Sequence, residues 1–153
     1  MPSQLVMGPS DASAVAGLSR AIQLSVAPVF LLTGIAGLLG TFSARLGRII
    51  DRIRIIQETM DRGSIGQVKA LKSVLTVQRR RLYLINRAIL FATITALLIA
   101  VVVAVLFISV VAVIDLAAIV VPIFVLAMLS LIASLLLFLR EVRLAIALNP
   151  HRY

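Results

Sequence analysis

At 153 residues the chain is long enough for one small domain, yet 61% of it is hydrophobic, above the roughly 45–50% usual for soluble domains. The excess is aliphatic, with no Trp and two Tyr, and such a chain has too few polar groups to cover a water-soluble fold. The formal net charge of +9 is concentrated, with eleven of the fifteen Lys and Arg residues inside residues 43–88.

Basic charge gathered between long apolar stretches is the positive-inside signature of a membrane protein. No aromatic or Gly-rich binding motif accompanies it, so no nucleic-acid partner is expected. The chain has no Cys, which excludes disulfides and thiol chemistry.

Residues 1–20 are small and mixed in polarity (Pro2, Gly8, Pro9, Ser10, Asp11, Gly17) and read as a short loose leader or a weak amphipathic segment on the outer side. The only early base is Arg20, and the strong positive cluster follows the first apolar run. A secretory signal places its basic residues ahead of the apolar core, so this run reads as a retained anchor.

The first span is expected over residues 21–42, whose 22 residues match the roughly 20 needed to cross a bilayer. Pro28 inside it predicts a kink or a helix start, which membrane helices tolerate when neighbours satisfy the freed carbonyl. Gly34, Gly37 and Gly40 follow, with Ala36, Gly40 and Ala44 at spacing four. Small residues so spaced let another helix approach closely, and they form a candidate packing interface.

Residues 43–87 form the basic island. Phe42, Leu46, Ile49, Ile53, Ile56 and Met60 recur at spacings of three and four, a coiled-coil stripe. Asp61-Arg62-Gly63-Ser64 interrupts it. Gly63 suits a left-handed helix C-cap, and Ser64 with Gln67 fits a capping box that starts a second helix. That helix carries its own stripe, Val68, Leu71, Leu75, Gln78, Leu82 and Ile85. Two stripes joined by a tight turn near 61–64 predict an antiparallel helical hairpin, standing about 28 Å off the membrane at 1.5 Å per residue. The competing arrangement lays the first arm flat in the interface. Arg54, Glu58 and Arg62 are four apart, but such exposed pairs contribute only about 0.3–0.5 kcal/mol each.

From Ala88 to Leu139 the only charged residue is Asp115. A single helix would run about 78 Å there, far beyond a hydrocarbon core of about 30 Å. The chain must turn back at Asp115, giving spans at 88–113 and 117–139, with Pro122 in the first turns of the third. Ala88, Ala92, Ala96, Ala100 and Ala104 stand at strict spacing four, a second candidate packing face; Ala127, Ser130 and Ser134 offer a third. Residues 140–153 read as a basic tail carrying Arg140, Glu141, Arg143 and the single His, His151. Three spans put the N-terminus outside and both the island and the C-terminus in the cytoplasm, as the charge rule requires.

No catalytic constellation is present in the sequence: there is no metal-ligand cluster, no nucleophile–base pair and no phosphate loop. An enzyme is therefore not expected, and neither is a cofactor. No acidic residue falls inside a span, which argues against a proton-coupled pump. Arg45, Arg48, Arg52, Arg79, Arg80, Arg81 and Arg87 are the candidate contacts to anionic lipid or a cytoplasmic protein, each such charge contributing about 1 kcal/mol near an anionic leaflet. Gln23, Thr33, Asn86 and Thr93 are candidates for a pore lining or a polar collar, although helix-end solvation accounts for such residues equally well.

Three stretches, AIQLSVAPVFLLTGIAGLL at 21–39, ARLGRIIDRIRII at 44–56 and RRRLYLINRAIL at 79–90, occur in a characteristic order and spacing. Together they resemble domain-of-unknown-function family 2721, small bacterial integral membrane proteins, over roughly residues 15–145. The resemblance implies a bacterial inner-membrane protein with three spans and brings no established activity with it. The expectation is an all-α membrane protein, a non-enzymatic homo-oligomeric scaffold or accessory protein. The alternative is an oligomeric ion channel lined by span one or two.

Overall fold

The computed structural model describes residues 8–63, 65–112 and 115–147. Among them every regular element is helical: α1, Pro9–Arg62; α2, Ile65–Ala112; and α3, Ala117–Ala147. All three are long and apolar enough to cross a membrane. At 1.5 Å per residue they rise about 81, 72 and 46 Å.

α1 begins within the stretch read as a loose leader or a weak amphipathic segment, and from Pro9 onward that stretch is helical. Pro9, at the first helical position, has its φ already set for a helix. The Gly8 amide donates to Asp11 Oδ2 at 3.3 Å, and Asp11 lies favourably in the first turn. From there the helix runs unbroken through Arg20, Pro28 and Phe42 to Arg62, so Pro28 is not a helix start. The residues expected to form the first span and the first arm of the hairpin are one rod. α2 likewise passes through Arg87 and Ala88 without interruption.

α1 and α2 are antiparallel, from the turn at residue 63 to Gly17 beside Val110. Phe42, Ile49 and Ile56 of the first stripe are buried, with Leu46, Ile53 and Met60 half-buried. Gln78 and Ile85 are buried on the facing stripe, between half-buried Leu71, Leu75 and Leu82. The heptad pattern therefore reports a true helix–helix seam. Gly63, however, is extended at φ −92° and ψ 160°, not left-handed; its N–H donates to the Met60 carbonyl at 3.4 Å. The Ser64–Gln67 capping box, with Ser64 and the Gln67 side chain, lies outside the described residues, as does His151.

α3 returns along the other side of α2. Asp115 Oδ1 accepts the Ala117 amide at 3.0 Å, and the Leu116 carbonyl accepts from Ile119 and Val120, so the turn residue also opens the helix. Ala127, Ser130 and Ser134 are buried against α2. Ser130 Oγ donates to the Phe91 carbonyl at 2.9 Å and Ser134 Oγ to the Ala88 carbonyl at 2.7 Å, the hydroxyl-to-backbone contacts that hold helices together in lipid. α3 continues past Leu139: residues 140–147, part of the basic tail read from the sequence, are its last two turns. Their stripe continues, with Glu141 buried and Leu144 and Ala145 half-buried.

Two apolar clusters fill the interior. Ile35, Ile99 and Ala127 form one, bordered by Leu31 and Ala96; Phe42, Ile49, Ile85, Ala88 and Ala92 form the other, bordered by Leu137 and Phe138. Phe30, Leu97, Val121 and Leu129 point outward. Outward aliphatic and aromatic side chains around a thin core suit a lipid surround and no other solvent.

Candidate functional site

Where α3 approaches its end, three helices meet around one carboxylate. Glu141 is 0% exposed. It lies seven residues beyond Ser134, which continues the buried stripe of α3 and aims it at α1 and α2. Arg45 Nη1 of α1 donates to Glu141 Oε2 at 3.2 Å. Arg81 of α2 donates to Glu141 Oε1 from Nη2 at 2.8 Å and from Nε at 3.1 Å. Its remaining terminal nitrogen, Nη1, reaches Gln78 Oε1 at 3.3 Å. The Arg81 side chain is 15% exposed and that of Arg45 36%.

Aromatic packing braces the cluster from the apolar side. The Arg45 guanidinium lies 5.0 Å from the centroid of the Phe138 ring, a cation–π contact. Phe138 in turn packs on Phe42, with centroids 4.6 Å apart and planes tilted by 32°. A charge cluster removed from water is tolerated only when its donors and acceptors are matched, and among the described residues no buried side-chain polar atom lacks a partner.

Two cavities open from this cluster. One, of about 240 Å³, is lined by Arg45, Arg48, Ile49, Arg52, Gln78 and Arg81. The other, of about 340 Å³, shares Arg52, Gln78 and Arg81 and adds the more apolar wall of Val74, Val77 and Ala145. Arg45, Arg48 and Arg52 converge because spacings of three and four place them on one flank of α1, beside the seam. Arg81 meets them from α2.

The structure thus gathers four of the seven arginines expected to make contacts. Arg79 and Arg80 are exposed and line neither cavity. Arg87 turns elsewhere, 5.2 Å from the Tyr83 ring centroid, in a separate hollow with Arg140 and Phe91. The small-residue faces divide as well. A Cβ on Gly34, Gly37 or Gly40 would meet nothing within 4 Å, so among the described residues no other helix covers them. Ala92 is buried and Ala96 half-buried inside the chain, whereas Ala100 and Ala104 are exposed; a spacing of four drifts about 40° per step, which carries the row out of the interior. Thr33 and Thr93 donate to the carbonyls of Val29 and Ile89 in their own helices, and Gln23 and Asn86 are exposed.

Glu141 is the site residue that composition and spacing leave unnoticed, because it stands among charges that look like a solvated tail. Its signal is the sevenfold step from Ser134, which keeps it on the stripe begun by Ala127 and Ser130. Among the described residues no group of His, Cys, Asp or Glu could hold a metal ion.

A family model described as protein of unknown function (DUF2721) matches residues 25–149. Neither the curated proteins nor the solved structures yield a match. With the match covering most of the chain, the three-helix protein described above belongs to the DUF2721 family.

Proposed function

We propose that this is a non-enzymatic multi-pass protein of the bacterial inner membrane, a homo-oligomeric scaffold whose basic arm engages anionic lipid or a cytoplasmic protein. The observation that carries this reading is the buried Glu141 cluster. One carboxylate of α3 holds guanidiniums from α1 and α2, which ties the arm to the bundle. The apolar run 117–139 rises about 34 Å, close to a hydrocarbon core of about 30 Å. That match supports an interfacial level for the cluster and an arm that continues into the cytoplasm. The unbroken rod of α1 favours an arm standing off the membrane over one lying on it.

Self-association is supported by the uncovered face of Gly34, Gly37 and Gly40 and by exposed Ala100 and Ala104, since small residues let membrane helices pack closely. The test is the native mass in lipid nanodiscs. The wild type is expected to contain more than one copy. Gly37→Leu, which meets open space within the chain, should reduce the copy number without loss of helicity. A monomeric wild type would remove the oligomeric scaffold. A closed ring with ion flux in liposomes would move the reading to a channel lined by span one or two.

A further inference from the structure

The four arginines of the cavity are not balanced by the protein itself. Among the described residues Glu141 is the one carboxylate that pairs with them, and both its oxygens are taken by Arg45 and Arg81. Arg48 and Arg52 line the cavity and pair with no carboxylate among the described residues. Asp51, though adjacent in sequence, does not line it. Four positive charges, two of them held by Glu141 and two on the exposed flank of α1, stand against one negative charge beside a low-dielectric bundle, repel one another and favour an added anion.

The donors that remain are of one kind. Each guanidinium has five N–H groups in a planar fork. Arg81 has used three of its nitrogens on Glu141 and Gln78, which holds its plane in place, whereas Arg45 has used one. Gln78 accepts from Arg81 through its oxygen, leaving an amide NH2 on a side chain that lines the cavity. Guanidinium forks and an amide donor around a cavity of about 240 Å³ match the tetrahedral oxygens of a phosphate group, which takes paired N–H donors.

We propose that Arg45, Arg48, Arg52 and Arg81 form a phosphate-binding site, with Glu141 and Gln78 as positioning residues. The phosphate is that of an anionic phospholipid headgroup or of a small soluble phosphate ester. The adjoining Val74, Val77 and Ala145 wall accommodates the organic part of either. This deepens the scaffold reading by assigning a ligand chemistry to the arm, and it rests on that reading only for the membrane placement.

The test uses the full chain in neutral detergent. Native mass spectrometry reads retention of phosphatidylglycerol against phosphatidylcholine, and thermal shift reads inorganic phosphate and glycerol phosphate. The wild type should retain phosphatidylglycerol preferentially or be stabilised saturably by the soluble phosphates. The first result assigns the headgroup as source, the second the soluble ester. Arg48→Gln with Arg52→Gln should lower that binding about 100-fold, since each of the two lost charge-assisted contacts is worth about a factor of ten or more. Arg79→Gln with Arg80→Gln removes the same charge outside the cavity and should leave binding intact. Should the first pair fail to fold, Arg48→Lys with Arg52→Lys keeps the charge but removes the forks, and should still weaken binding. A wild type with neither a phosphatidylglycerol preference nor saturable stabilisation by the soluble phosphates, full binding by the Arg48/Arg52 variants, or equal loss on changing Arg79 and Arg80 would overturn the site. Because binding is read without a membrane or a partner, its failure leaves the nanodisc mass, and hence the scaffold reading, standing on its own test.

Discussion

At Glu141 two guanidiniums share one carboxylate, and the consequence of removing its charge follows from that count. Glu141→Gln preserves shape and an acceptor oxygen but leaves Arg45 and Arg81 facing each other uncompensated. Breaking a buried pair from one side costs about 3–5 kcal/mol, which for a chain of this size lowers the unfolding midpoint by on the order of 10 °C. Thermal unfolding in detergent reads this directly, and an unchanged midpoint would show that the cluster does not hold the helices together. Ser134 is a gentler case. Its hydroxyl donates to the Ala88 carbonyl at 2.7 Å, and such contacts between membrane helices average about 0.6 kcal/mol. Ser134→Ala should therefore be nearly silent in the same assay. Ser134→Leu should be clearly destabilising, because Ser134 and Ala88 are both fully buried and the added volume has nowhere to go.

Among the elements, the α1–α2 seam was the most legible, because a stripe at spacings of three and four is a local property of each helix. The turn between them was less so. Gly63 in that position looks like a left-handed cap, yet its φ of −92° is open to any L-residue. Gly63→Ala should accordingly change stability by no more than about 0.5 kcal/mol, the ordinary range for a surface change. A loss above that range on denaturation would restore a special backbone role for the glycine. The continuation of α3 past Leu139 is illegible in the sequence for a different reason. Arg140, Glu141 and Arg143 have the composition of a tail, but a helix already propagating adds each further residue at little cost, and Glu141 gains partners only when helical.

For the molecule as a whole, the basic residues collect toward the α1–α2 turn and Asp115 marks the opposite end. Because the natural chain has no Cys, single cysteines can report the orientation without a background. With the arm cytoplasmic, a membrane-impermeant maleimide should label Ala118→Cys in spheroplasts, and Thr59→Cys only after lysis. Both wild-type positions are exposed, so protection would reflect sidedness and not burial. Labelling in the reverse order would overturn the N-out, arm-in arrangement.

Span number, the turn at Asp115 and the α1–α2 seam all follow from the linear order of residues, since hydropathy and helical periodicity are read within one segment. Even the convergence of Arg45, Arg48 and Arg52 on one flank of α1 is local in this sense. That Arg81 joins them, that Glu141 sits between Arg45 and Arg81, and that Arg79, Arg80 and Arg87 stay apart belong to the tertiary structure alone. So does the fate of the small-residue rows: Ala92 is interior, whereas a Cβ on Gly34, Gly37 or Gly40 would meet nothing within 4 Å among the described residues. Those outcomes depend on the rotation of each helix about its axis and its register against the others. Contacts among residues far apart in sequence set both, and the periodicity of one helix leaves both open.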